Sequence, residues 1–340
     1  GTVTYDGGAQ NVLTETYNHL SISAAGTKTA TGNLDVNGNL TTAATASCVL
    51  DLSSHDLNVA GNITIGATDG LDLSDASCLL TIDGGAGDQT ITHAGNTGSE
   101  LSAVTLNKAA GNAVLASAVE LDGSLTLTSG DIDASSFDLT LTAGATSSAG
   151  SDASHIIGTM VKTTAATSDF TFPLGDGSQY KAITITPSSG SSTVWTAEYF
   201  LQANTPIATT LDGSAAGDLD HVSTYEYWDL DRSGSANAKI AIPWVAANAV
   251  LAPADLRLAH FDGDWDLIEA TPVGVEASGV ITSSGAEEYV STFSPFTLGS
   301  SSSTNVLPIE LVSFSGEKKD NKNILNWTTA SEINNAFFTV

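Results

Sequence analysis

Alternation dominates the first 150 residues. Apolar side chains fall at every second position in "NLDVNGNLTT", "LNVAGNITI", "LDLSDASCLLTI" and "GSLTLTSGDIDA". Each run lasts three to six residues before Gly, Asn or Asp breaks it. A period of two turns one face of an extended chain inward. Leu, Ile and Val favour the strand, and Gly and Asn supply positive-φ corners between strands. Strands so short and evenly spaced do not suit a large open sheet. Stacked as coils of roughly twenty-odd residues, each about 4.8 Å above the last, they bury a continuous apolar column. The pattern predicts a parallel β-helix (β-solenoid) over residues 1–150, with a β-sandwich of hairpins as the alternative.

The same region is written twice. "TYDGGAQNV" (Thr4 to Val12) returns as "TIDGGAGDQTI" (Thr81 to Ile91), "LDVNGNLT" (Leu34 to Thr41) as "VELDGSLT" (Val119 to Thr126), and "SSHDLNVAG" (Ser53 to Gly61) as "SSFDLTLTAG" (Ser135 to Gly144). The offsets are 77, 85 and 82 residues, which reads as one supermodule of about 80 residues with small insertions. Gly1 begins inside the first copy, so the chain reads as a mature or excised segment.

From His155 the texture changes, and all five tryptophans lie beyond that point. "HIIGTMVKTT", "DFTFPLG", "YKAITITP", "STVWTAEYFLQ", "YEYWDLDR", "AKIAIPWV", "LRLAHFDGDWDLI" and "STFSPFTLGS" are eight strand-like segments divided by turn residues. They predict an antiparallel β-sandwich over residues 151–300. Trp228 and Trp244 read as core, whereas Trp265, in the turn "FDGDWDL", reads as exposed. The Ser-rich stretch "LGSSSSTNVLP" places a linker at 301–306. Residues 307–340 then hold two or three strands, too few to bury a core.

Composition narrows the function classes. Hydrophobic residues make up 41% of the chain, enough for a sizeable core, and charged residues 14%, which favours turn-rich β structure over helices. Ten basic and 38 acidic residues leave a net charge of −28. Such a surface repels nucleic acid and anionic lipid. No apolar run reaches the ~18 residues of a membrane helix. The charge reads first as solubility and second as weak Ca²⁺ binding. The Asp clusters "LGDGSQY", "DLDRSGS" and "FDGDWD" lack the spacing of an EF-hand loop and match ordinary turns. Cys48 and Cys78 sit at matching points of "ASCVLDL" and "ASCLLTI" and read as buried free thiols that stack on neighbouring coils.

No catalytic constellation stands out. Residues 1–150 have only Lys28 and Lys108 as basic groups, whereas β-helices that cleave acidic polysaccharides need an exposed basic side chain beside Ca²⁺-holding carboxylates. His19, His55 and His93 are scattered, and His55 aligns with Phe137 in the second copy, so a packing or surface role suits it.

The end of the chain, "LPIELVSFSGEKKDNKNILNWTTASEINNAFFTV", closely resembles the start of a fibronectin/immunoglobulin-like module in secreted Bacteroidota proteins. There it follows a Ser/Asn linker and precedes the sorting domain of the type IX secretion system. "FTFPLGDGSQYKAITITP", "YEYWDLDRSGSANAKIAIPW", "LRLAHFDGDWDLI" and "STFSPFTLGS" resemble the same family, as does the upstream repeat region. The resemblance implies an all-β chain, β-solenoid then β-sandwich then a partial immunoglobulin/fibronectin-like segment. It also implies export by the type IX machinery, a place outside the cell or on its surface, and no reaction. The resemblance implies that the module continues past Val340 toward a sorting domain, so the chain reads as cut short there, or its last strands as having another use.

Three functions are open. A structural segment of an adhesin, stalk or fibre comes first. Its incomplete last strands would join copies of itself, or neighbouring domains of a longer chain, by strand addition through Ile309, Leu311, Phe314, Trp327, Phe337, Phe338 and Val340. A module binding surface polysaccharide through Tyr180 and Trp265 comes second. A β-helix polysaccharide-degrading enzyme comes third, with no spacing that singles out a carboxylate pair. No cofactor is called for, Ca²⁺ aside.

Overall fold

The structure is a computed structural model. It describes residues 1–44, 47–66, 70–75, 77–85, 87–93, 101–201, 219–293, 295–305, 307, 311–319 and 322–329. The chain is nearly all β and forms two compact units. One comprises Gly1–Ala182, Ser189–Tyr199 and Arg232–Ala236; the other comprises Ile183–Ser188, Phe200–Asp231 and Asn237–Val340.

The first unit is a parallel β-solenoid of about seven turns with three sheet faces. Its registers stack like on like. On one face Leu20, Leu40, Ile63, Ile91 and Leu115 lie one above another. On a second, Leu34, Leu57, Leu80, Val104 and Leu125 do the same. All ten are buried. The alternating residues between them point outward, so each short strand adds two or three apolar side chains to one column. The coils of roughly twenty residues expected from the alternation are present: side chains that bond one coil up are 23 or 24 residues apart at several corners.

The two sequence copies do not coincide in space. Leu34–Val36 lies on the second face and its counterpart Val119–Leu121 on the third, while Leu40–Thr42 lies on the first and Ser124–Ser129 on the second. The repeat of about 80 residues is therefore not a whole number of turns. The second copy enters one face out of step with the first.

Parallel pairing does not stop at residue 150. Ile132–Leu141 pairs in parallel with Ile156–Thr164, which pairs in parallel with Leu174–Gly175. "HIIGTMVKTT", expected to open the sandwich, is thus a coil strand, because its period-two pattern is the same as that of the coils before it. Its other edge takes Thr193–Leu201 in antiparallel register, Met160 opposite Ala197. One strand makes the change from parallel to antiparallel sheet.

Among its described residues the second unit holds two larger antiparallel sheets besides a separate two-stranded hairpin. One is ordered Glu226–Ser233, Phe296–Ser300, Leu256–Phe261, Trp265–Ile268; the other is Ile183–Pro187, Ala238–Val245, Ser278–Ser283, Ala270–Val275. Trp228 and Trp244 are buried, as expected of core. Trp244 lies across the hairpin Ala270–Val275/Ser278–Ser283 and donates its Nε1–H to the Val275 carbonyl at 2.9 Å. Gly274 and Gly279 make that possible, since a Cβ at either would strike the indole.

The Ser-rich stretch is fastened rather than free. Asn305 is fully buried, donates to Ala252 O at 2.8 Å and accepts the Leu251 and Ala252 N–H groups at 3.0 and 2.6 Å. Beyond it Leu311–Lys319 and Lys322–Thr329 form an antiparallel hairpin whose only described partners are each other. Among the described residues no helix is long and apolar enough to cross a membrane.

Candidate functional site

The residues singled out in the sequence do not converge. Trp265 is 3% exposed, packed with Leu219, Val222 and Ala259. Its expected exposure is a misreading, since the turn places the indole inward and a ring of that size stabilises most when buried. Tyr180 is half-buried, and desolvation raises the pKa of its phenol. Phe314 and Trp327 are cross-strand partners in the hairpin, and Leu311 pairs with Thr329. Ile324, Leu325 and Trp327 are each more than a third exposed. Ile309, Phe337, Phe338 and Val340 lie outside the described residues.

Two of the suspected calcium clusters act as turns, and the third, "DLDRSGS", lies in the strand Glu226–Ser233 up to its first serine. Asp176 accepts the N–H groups of Ser178 and Gln179 at 2.8 and 2.7 Å, and Asp262 N–H bonds the Asp264 carbonyl. Among the described residues no group of three or more His, Cys, Asp or Glu is placed to hold a metal ion. Cys48 and Cys78 are free and buried; their thiols donate to Ile22 O and Ser53 O.

Polar side chains of the solenoid are instead spent on the backbone. Lys28, Lys108, Lys162 and Lys181 are all at most 4% exposed. Lys28 Nζ donates to the carbonyls of Ala24 and Gly26 at 2.6 and 3.0 Å, closing a corner from within. Asp51, Asp72, Asp75 and Asp133 each accept the N–H two residues on, the side-chain turn that lets a strand change direction. Ser53 beside Asp51 carries a positive φ of 57°. A ladder climbs one corner: His19 Nδ1 accepts from Asn39 N–H at 2.8 Å, Asn39 Oδ1 from Asn62 N–H at 3.0 Å, Asn62 Oδ1 from Thr90 N–H at 2.9 Å. His19 is a rung of this ladder.

Two clefts remain. In the first unit, a space of about 230 Å³ opens over Lys162, beside Thr164, Asp169 and Phe170. Lys162 Nζ donates to Thr142 O and Ala145 O at 2.5 and 2.6 Å and lies 5.1 Å from the Phe170 ring centre. Desolvation lowers its pKa to about 8. In the second unit, a cleft of about 210 Å³ is lined by Asp266, Glu287, Tyr289, Ser291 and Thr292 over His260. His260 is 3% exposed, and burial pushes its imidazole pKa down. Lys239 reaches across Tyr289, 5.5 Å from the ring centre, and is ion-paired with Glu288. Two carboxylates, a tyrosine and hydroxyls around a shallow opening can hydrogen-bond a hydroxylated ligand. Sequence reading passed over this cleft because its residues come from a strand, a turn and the segment after it. The only local signal was the polar run "GAEEYVST".

Compared with protein-family models, curated proteins and solved structures, the chain matches none of them.

Proposed function

We propose that this chain is a segment or subunit of a non-enzymatic extracellular structural protein, a stalk, adhesin or fibre at a cell surface, exported by the type IX route. The observation that carries the reading is the use made of ionisable groups in the solenoid. Its four lysines are withdrawn inward and many of its aspartates hold corners, so the wall is built for repetition rather than for a reaction. The hairpin with exposed Ile324, Leu325 and Trp327 is the surface assigned to joining a neighbouring domain or copy. Electron microscopy of the purified chain tests this. Elongated assemblies that disperse in a Trp327→Ser, Leu325→Ser variant support it. Dispersed particles that depolymerise a panel of acidic and neutral polysaccharides would overturn it.

A second reading rests on the cleft over His260, which fits a surface carbohydrate-binding module. Titration with neutral oligosaccharides, monitored by calorimetry, decides it: binding lost in Tyr289→Ala supports a glycan site, and no heat with any oligosaccharide removes it.

A further inference from the structure

Lys108 is not held as Lys28 and Lys162 are. Lys28 and Lys162 each have two carbonyl oxygens within 3.0 Å of Nζ. Lys108, 2% exposed, has Gly84 O at 3.3 Å and the side-chain oxygen of Gln89 at 3.5 Å. Gln89 is equally buried and belongs to the coil below. Its carboxamide cannot be turned round, because Nε2 donates to Val59 O and Gly61 O at 2.9 and 2.5 Å. The carbonyl end therefore faces Lys108. Gly84 N–H donates to that same Oε1 at 3.3 Å. A Cβ at Gly84 would stand 2.7 Å from Oε1 and 2.9 Å from Nζ, so glycine is what lets amine and carboxamide meet there. Asp83, the residue before it, has Oδ1 fully buried with no hydrogen-bond partner among the described residues.

We propose that Lys108 and Gln89 condense without an external enzyme to an isopeptide bond that ties two successive coils together, with Asp83 as proton carrier. The amine must be neutral to attack, and burial lowers the pKa of Lys108. The carrier must be an acid, and desolvation raises the pKa of Asp83. The Nζ lone pair adds to Gln89 Cδ, and negative charge gathers on Oε1, where the Gly84 N–H already points. Asp83 gives its proton to the departing nitrogen, the Cδ–Nε2 bond breaks, and ammonia leaves. The proton shed by Nζ returns to the Asp83 carboxylate. One amide replaces another, Asp83 ends as it began, and no oxidant or reductant is consumed. Held in place, the pair gains an effective concentration of up to about 10⁵–10⁸ M over the same groups free in water. The departing nitrogen gives up its bonds to Val59 and Gly61, and loss of ammonia to solvent makes the step one-way. The inference stands on this geometry and is independent of the function proposed above.

Intact mass spectrometry of the full native chain, before and after days at mildly alkaline pH, tests it. The expected product is lighter by about 17 Da, the mass of ammonia, and digestion yields one branched peptide joining Gln89 to Lys108. A succinimide at Asn37-Gly38 would lose the same mass, but it gives no branched peptide. Asp83→Asn should fold, with an unchanged β-type circular dichroism spectrum, and keep its full mass. Lys108→Met should also keep its full mass. Full mass in the native chain, with Gln89 and Lys108 recovered in separate linear peptides, overturns the proposal, and this result needs no variant to fold.

Discussion

The solenoid and the second unit bury apolar surface by opposite means. Through residue 164 the coils contain no tryptophan. Their core is a column of Leu, Ile and Val, each resting on its counterpart one coil away. The second unit gathers Trp228, Trp244 and Trp265 inside antiparallel sheets, and Trp244 is fitted to Gly274 and Gly279, distant from it in sequence. The first arrangement is a sum of similar neighbour contacts, so damage should stay near its site. The second relies on a few large side chains, so damage should spread through the unit.

The sharpest test is Trp244→Ala. It should destabilise the second unit by about 3–5 kcal/mol, with amide protection across Ala238–Val245 and Ser278–Ser283 lost together in hydrogen exchange. Leu57→Ala in the solenoid should cost about 3 kcal/mol. Exchange should quicken first in the flanking strands Leu34–Val36 and Leu80–Ile82. Uniform loss of protection along every coil would break the comparison.

Lys162 adds a pH dependence. Burial holds its pKa at about 8 in the folded chain, against an ordinary value of 10.5. Between these values the unfolded chain binds the extra proton, so stability rises with pH across that window, and the penalty is fully present below pH 8. The rise should be on the order of 3 kcal/mol. Urea unfolding at the two ends of the window should show it in the native chain and not in Lys162→Met.

Asn62→Ala removes one rung of the corner ladder, and urea unfolding should register about 1 kcal/mol. Val273→Lys, at a side chain 70% exposed, should move the melting midpoint least, within about 0.5 kcal/mol of no change.

The solenoid was legible because alternation carries both strand and facing, and because Gly, Asn and Asp mark the corners. Its end was not, since Ile156–Thr164 alternates just as the coils do, and only its pairing partner changes the sheet from parallel to antiparallel. The hairpin Ala270–Val275/Ser278–Ser283 escaped notice because Pro272, Gly274 and Gly279 look like breakers. In the fold Pro272 sits on an edge strand, where a missing N–H is tolerated, and the two glycines seat Trp244. Lys28 occupies an inward position whose neighbour one coil on is Leu50. Its inward placement was not legible, because nothing local in the sequence shows the carbonyls it meets. The cleft over His260 is assembled from separated segments and had no contiguous motif to find.

The one-face displacement between the two copies bears on how such a chain can grow. A stretch that works on one face works on the next, so the heritable part is a strand with its corner, not a full turn. Duplication or deletion by unequal crossing-over therefore need not conserve an integral number of turns. The solenoid can change height in steps of one strand, about a third of the 4.8 Å rise, which gives selection a finer ruler than whole coils would.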